Sequence, residues 1–247
     1  MSNSSVNVLI GARMGDFMHC MYVPYHLWKT RGIKSNIFIS EVGDVFDHGF
    51  QKTFEELAPI ITQQEYVLSF QPLSGQHIDY YTPLFRDRKY VYTKCWKDML
   101  CSIFFKDEKP LDGGWMTFNE PNKFEKTLII NRRNKSSFTP IIKNSYELEI
   151  AKFSKAIFAG GDYQFKEFGS AHLCEHHSPQ SLTDWFSIIS KGSFFLGNQS
   201  GPAAIACALD VPRLVELLPT PDAIHYFGES LYSKNISFIN PLIWTTS

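Results

Sequence analysis

Hydrophobic and polar positions in this chain change period repeatedly, and the changes mark out alternating strands and helices. Val6–Ile10 is a short apolar run that predicts a strand; the turn Gly11-Ala12-Arg13-Met14-Gly15-Asp16 follows it. From 17 to about 31, Phe17, Cys20, Met21, Pro24 and Trp28 recur three or four residues apart, which predicts a helix ending at Gly32. Pro24 either kinks that helix or marks the beginning of one, because proline offers no backbone donor. Residues 35–40 read as a second strand, at a distance that fits a parallel crossover unit.

An acidic loop over 41–50, a helix over 51–63 and a strand over 67–71 come next. Residues 72–89 have no period and contain Gly75 and Pro83; a stretch of that length predicts a functional loop. Trp96, Leu100 and Phe104 define a helix over 94–105, which KDEKPLDGG interrupts. Charge, proline and glycine concentrate between about 106 and 126 and predict a domain boundary, giving domains 1–120 and 121–247, with the last residues free to pack back on the first.

The second half repeats the alternation. Strands are predicted at Thr127–Asn131, 156–159, 171–176, 193–197 and 213–217. Helices are predicted at 146–154, at 203–209 and around Leu182, Trp185, Phe186 and Ile189, the last capped by Gly192. The fold class is therefore α/β: two Rossmann-like, doubly wound parallel-sheet domains facing across a cleft.

Composition adds limits. The 247 residues are 44% hydrophobic and 20% charged, as in a folded soluble chain. Lys and Arg number 24 against 25 Asp and Glu, a formal charge of -1, so no global field holds nucleic acid or an anionic membrane. No apolar run approaches a bilayer span, and MSNSSVN lacks the features of a signal peptide, so the expected location is cytoplasmic. Five cysteines, an odd number set far apart, suit buried thiols better than a disulfide framework.

Two turns could carry chemistry. In FFLGNQSGPAAIACALDVP a strand ends in a polar turn and Pro202 opens a helix. Such a helix start aims free amides at the sheet's carboxyl edge and attracts phosphate; Ser200 adds a hydroxyl and Gly201 allows close approach, while the plain alternative is an ordinary cap. In GARMGD, Asp16 lies at a helix start on the other sheet's carboxyl edge, as a general base or as a cap. Its glycines do not match the dinucleotide fingerprint.

GARMGDFMHCMYVPYHL and HHSPQSLTDWFSIISKGSFFLGNQSGPAAIACALDVPRLVELLP together resemble the two signatures of the ADP-heptose:lipopolysaccharide heptosyltransferase-like glycosyltransferases. The resemblance is specific in these patches and faint between them, the Gly-Gly of IFAGG included. It implies the GT-B architecture, with a nucleotide-diphosphate sugar on the C-terminal domain and a glycan or small hydroxyl acceptor on the N-terminal one. By the same resemblance, Asp16 is the base of an inverting, metal-independent transfer that uses no further cofactor. Gln199 and Ser200 contact the donor, with Gly15, Gly160, Gly161, Asn198 and Gly201 around it, and Arg132, Arg133 and Lys135 supply cations for the diphosphate. Fixed cations and amides favour the departing diphosphate more than they favour bound substrate. Bacterial members usually carry Asp where this chain has Gln199 and His where it has Ala204, so the sugar and nucleotide are not implied; the chain is also shorter than a typical member, so a lipopolysaccharide acceptor is not implied either. A non-catalytic nucleotide-sugar or glycan binder, or a sugar-nucleotide epimerase, would also use this architecture.

Other residues carry weaker signals. His19, one turn after Asp16, could orient the base, bind the acceptor or simply fill the interdomain surface. Asp44, Asp47 and His48 could touch an acceptor or simply be solvated. His172, Cys174 and His176 alternate on one predicted strand beside His177, which is poor spacing for zinc. Trp115 and Trp185 could stack on a base or sugar, although the periodicity around Trp185 argues for core.

Overall fold

The computed structural model describes residues 5–11, 13–41, 46, 49–87, 96–119, 124–133, 139–216 and 238–239. Strands β1 (Val6–Ile10), β2 (Ser35–Ile39), β3 (Val67–Pro72) and β4 (Tyr80–Tyr81) form one sheet in the order β3-β2-β1-β4. Strands β5 (Thr127–Asn131), β6 (Lys155–Ala159), β7 (Glu175–His177), β8 (Phe194–Asn198), β9 (Arg213–Glu216) and β10 (Phe238–Ile239) form a second, in the order β10-β9-β8-β5-β6-β7. Every described pairing is parallel. In the first sheet the chain order reverses between β1 and β4, in the second between β5 and β8; crevices for ligands open at such reversals, outside the strands' carboxyl ends.

Helices α1 (Met14–Cys20), α2 (Tyr22–Arg31), α3 (Phe50–Ile61) and α4 (Trp96–Phe104) belong to the first half. Helices α5 (Pro140–Ile150), α6 (Asp162–Glu167), α7 (Leu182–Lys191) and α8 (Gly201–Ala208) belong to the second. The second sheet is covered on both faces. Leu128, Ile130, Phe158 and Leu196 pack with Ile142 and Tyr146 of α5, while Ile129, Ile157 and Phe195 pack with α7 and α8. That second group is continuous with Val8, Ile10, Phe17 and Ile37 of the first half, so one apolar cluster runs through both lobes. Its middle is the contact of α1 with α8.

Several expected elements are corrected. The helix over 17–31 is two helices: the chain breaks at Met21, and Pro24 lies in the first turn of α2, where its missing N–H costs little. The predicted helix 146–154 begins at Pro140, because Thr139 caps it and Ile142, Tyr146 and Ile150 form its stripe. Residues 171–176 are not one strand but a 3₁₀ turn at Ala171–Leu173 followed by β7, so His172, Cys174 and His176 do not share a strand face. The aperiodic stretch 72–89 contains β4 and a 3₁₀ turn, Thr82–Arg86; α6 was also without a sequence signal. The acidic-loop residues Asp44, Asp47 and His48, and also Lys135 and Cys95, lie outside the described residues. Cys20, Cys101 and Cys207 are buried and Cys174 is half-buried, and no disulfide joins any of these four. Among the described residues no helix is long and apolar enough to cross a membrane.

Candidate functional site

Asp16 stands in the first turn of α1, directly beyond the carboxyl end of β1, where the helix dipole favours a negative charge. Its Oδ2 accepts a hydrogen bond from Arg86 NH2 at 2.8 Å. Arg86 closes the 3₁₀ turn after β4, so these two side chains bracket the β1/β4 reversal. The Asp16 side chain is 27% exposed and that of Arg86 34%, enough for both to reach a ligand.

Across from them, β8 runs into Asn198-Gln199-Ser200 and α8. Ser200 is extended at the helix cap but does not cap it; its Oγ donates to Asn131 Oδ1 at 3.3 Å. Asn131 Nδ2 donates to Ala159 O at 2.8 Å, which ties the ends of β5, β6 and β8 together. Asn198 is fully buried and binds the backbone of Arg133 twice, accepting from its N–H and donating to its carbonyl. The first-turn amides of α8, Gly201 and Ala203, have no intrahelical acceptor by the geometry of a helix start. Pro202 has no amide to satisfy.

The two helix starts touch. A methyl group built on Gly15 would sit 3.8 Å from Gly201 Cα, and one built on Gly201 would strike the Met14 side chain. Gly15 and Gly201 therefore face each other, with Asp16 and Ser200 as their chain neighbours, beyond the carboxyl ends of β1 and β8. Gly160 adjoins them through Asn131: its added methyl would come within 3.4 Å of Asn131 Nδ2. Gly160 is held by His177 O and by His176, while a methyl on Gly161 would meet nothing.

The basic residues separate. Arg133 is exposed beside this turn. Arg132 is buried and paired through Nε and NH2 with Glu216, at 2.7 and 2.9 Å, and Tyr146 OH also donates to that carboxylate. Burial, with Glu216 alongside, raises the Tyr146 phenol well above its ordinary range. Arg132 thus holds the sheet edge rather than offering an open cation.

His19 does not look into the crevice beside Asp16. It is 6% exposed, its ring lies flat on Trp96 at 4.5 Å, and its Nδ1 has no partner among the described residues. Burial, and then the charge of Arg213, lower its pKa to about 3. Trp115 is likewise core, not a ligand platform, and Trp185 packs half-buried against the same cluster. Ala204 is buried in α8. A separate recess of about 270 Å3, lined by Glu175, His177, Asp184 and Lys191 among others, opens along the edge strand β7 and not at either reversal.

Sequence reasoning missed Arg86 and Glu216. Arg86 had no signal, since it lies in the aperiodic stretch. Glu216 had one: an acid in the apolar strand 213–217 calls for a buried partner.

No protein-family profile matches the chain, and no curated protein sequence is similar to it. Solved structures are similar in fold. The heptosyltransferase WaaC of E. coli with ADP superposes with a TM-score of 0.64 at 14% identity, covering 95% of this chain and 92% of that one. A glycosyl transferase family 9 protein from Veillonella parvula gives 0.64 at 12% identity, over 98% and 88%. ADP-heptose lipopolysaccharide heptosyltransferase II of E. coli gives 0.58 at 14%, over 96% and 90%. The chain has the two-sheet α/β architecture of these glycosyltransferases, the GT-B fold.

Proposed function

We propose that this protein is a glycosyltransferase that moves a sugar from a nucleotide-diphosphate donor to the hydroxyl of a glycan or small acceptor, with inversion and without a metal ion. One observation carries the reading: Asp16 and the Ser200–Gly201 turn stand on helices whose first turns touch, at the strand-order reversals of two separate sheets. The acceptor O–H would attack the donor's anomeric carbon while Asp16 takes the proton. The bond from that carbon to the diphosphate breaks, and the diphosphate leaves with the electron pair. Charge then grows on phosphate oxygens facing the α8 amides and Arg133, groups fixed before the reaction begins. Arg86 orients the Asp16 carboxylate from the acceptor side.

The test is a donor panel followed by one substitution. ADP-, GDP- and UDP-sugars are screened by calorimetry, ADP-sugars first because the WaaC fold relative is solved with ADP, and the binder is assayed for transfer. Asp16→Asn should lower kcat at least about 100-fold while donor affinity stays within about twofold. Full activity in that variant would remove the mechanism. Binding without transfer would favour the non-catalytic reading, which the burial of Ala204 and the pairing of Arg132 permit.

A further inference from the structure

We infer that residues 111–117, which join the two lobes, are a clamp and not a hinge, and that Trp115 is the positioning residue that sets the helix of Asp16 against α8. The inference rests on the glycosyl-transfer reading only for what is being positioned; the clamp itself stands on the following contacts. Trp115 is buried, and its indole Nε1 donates to Met18 O at 2.7 Å, in α1 two residues beyond Asp16. Its backbone N–H and that of Met116 both donate to Ala208 O, each at 2.9 Å. Ala208 ends α8, where helix carbonyls lack intrahelical donors, so the joining segment caps the helix whose other end bears the phosphate turn.

The first lobe holds the rest of the segment. Tyr66 OH donates to Trp115 O at 2.8 Å; Gln64 donates to Thr117 O at 3.0 Å and accepts from its N–H at 2.9 Å. Leu111 N–H donates to Tyr22 OH at 2.8 Å. Lys97, buried in α4, donates to Leu111 O and Gly113 O at 2.8 and 2.7 Å. Gly114 passes so close to α8 that an added methyl would stand 2.7 Å from Ala208 O and 3.0 Å from Asp210 N. Lobes joined by small polar interfaces move by default, but here the cluster through α1 and α8 is apolar and continuous. Opening would bare that cluster and strip the last carbonyl of α8. The crevice is therefore set at one width before the donor arrives.

Dyes introduced through encoded amino acids at Leu68 and Leu148, exposed on the first and second lobes, report the inter-lobe distance in single molecules. One narrow distribution is expected in the otherwise unchanged protein, without ligand and with ADP alone. A broad or two-peaked distribution, or a shift of several Å with ADP, would overturn the clamp. Gly114→Ala should broaden the distribution; an unaltered one counts against it. Trp115→Phe keeps an aromatic ring but deletes the indole donor together with part of the buried ring volume. It should lower kcat by roughly 10- to 100-fold with donor KM unchanged, since the donor side lies within one lobe and only its relation to Asp16 is disturbed. A fall in donor affinity with kcat intact would instead make Trp115 merely structural. Should either variant fail to fold, the distances in the unchanged protein still decide the matter. Fixed distances together with a fully active Asp16→Asn would sink the catalytic reading and leave the clamp standing.

Discussion

At the scale of single residues, burial separates two groups that spacing alone would have paired. Asp16 and His19 are one turn apart, yet α1 passes into the contact between the lobes, so the carboxylate stays at the rim while the imidazole enters the aromatic layer of Trp96 and Trp115. That layer has a consequence for stability. The imidazole titrates at about 3 in the folded chain against an ordinary 6.5, so between those values the unfolded chain binds a proton that the folded one refuses. Stability must therefore fall as pH drops from 6.5 towards 3, by up to about 1.4 kcal/mol per pH unit from this group. His19→Phe should flatten that part of the curve in urea titrations at successive pH values, and an unchanged slope would contradict the burial. The same variant should keep kcat within about tenfold, far above the loss in Asp16→Asn, because it touches no reacting atom. The place of Asp16 at a helix start beyond the first strand was legible from its glycine turn, although an ordinary helix cap would use the same residue. Arg86 was not, since a cation's partner across 70 residues leaves no local pattern.

Among elements, those with a regular period and a buried face were readable, and the failures have local causes. Strands β5, β6 and β8 lie close to where their apolar runs predict, whereas α5 starts early because its first turn is set by the Thr139 cap and Pro140 rather than by apolar spacing. A three-residue strand such as β7, or the two residues of β4, is too short for alternation to register. The glycines at and beyond the carboxyl ends of β6 and β8 were legible as glycines, but which of them the packing requires was not. Gly197 is required: a methyl there would strike Asn131 O and lie 2.9 Å from the Phe195 ring, where β5 and β8 pair. Gly197→Ala should cost about 1–3 kcal/mol in urea unfolding by overpacking. Gly161 faces open space with a backbone any residue can adopt, so Gly161→Ala should stay within about 0.5 kcal/mol. If a donor lies against that loop, the second variant will weaken donor binding in calorimetry without moving stability. Equal stability of the two variants would mean that β5 and β8 are less tightly joined than their register indicates.

For the whole molecule, the alternation of strands and helices implied two sheets but not how they meet. Nothing in GPAAIACA says that its alanines pack on another lobe rather than on their own sheet, because a small-residue helix serves both purposes. In the structure it serves both: Ala203 to Ala208 lie in the cluster that also holds Phe17, Met18 and Cys20 of α1. An apolar surface shared by two lobes couples their unfolding, since either lobe alone would expose it to water at about 25 cal/mol for each Å2. Chains of two domains usually depart from all-or-none unfolding, whereas coupled lobes should obey it. Differential scanning calorimetry should accordingly give one endotherm, with the calorimetric enthalpy equal to the van't Hoff value, and a bound donor should move that endotherm upward as a unit. Two resolved transitions, only one of them moved by the donor, would mean that the contact of α1 with α8 contributes too little to join the lobes, and Asp16 would then meet the Ser200–Gly201 turn only after a closing motion.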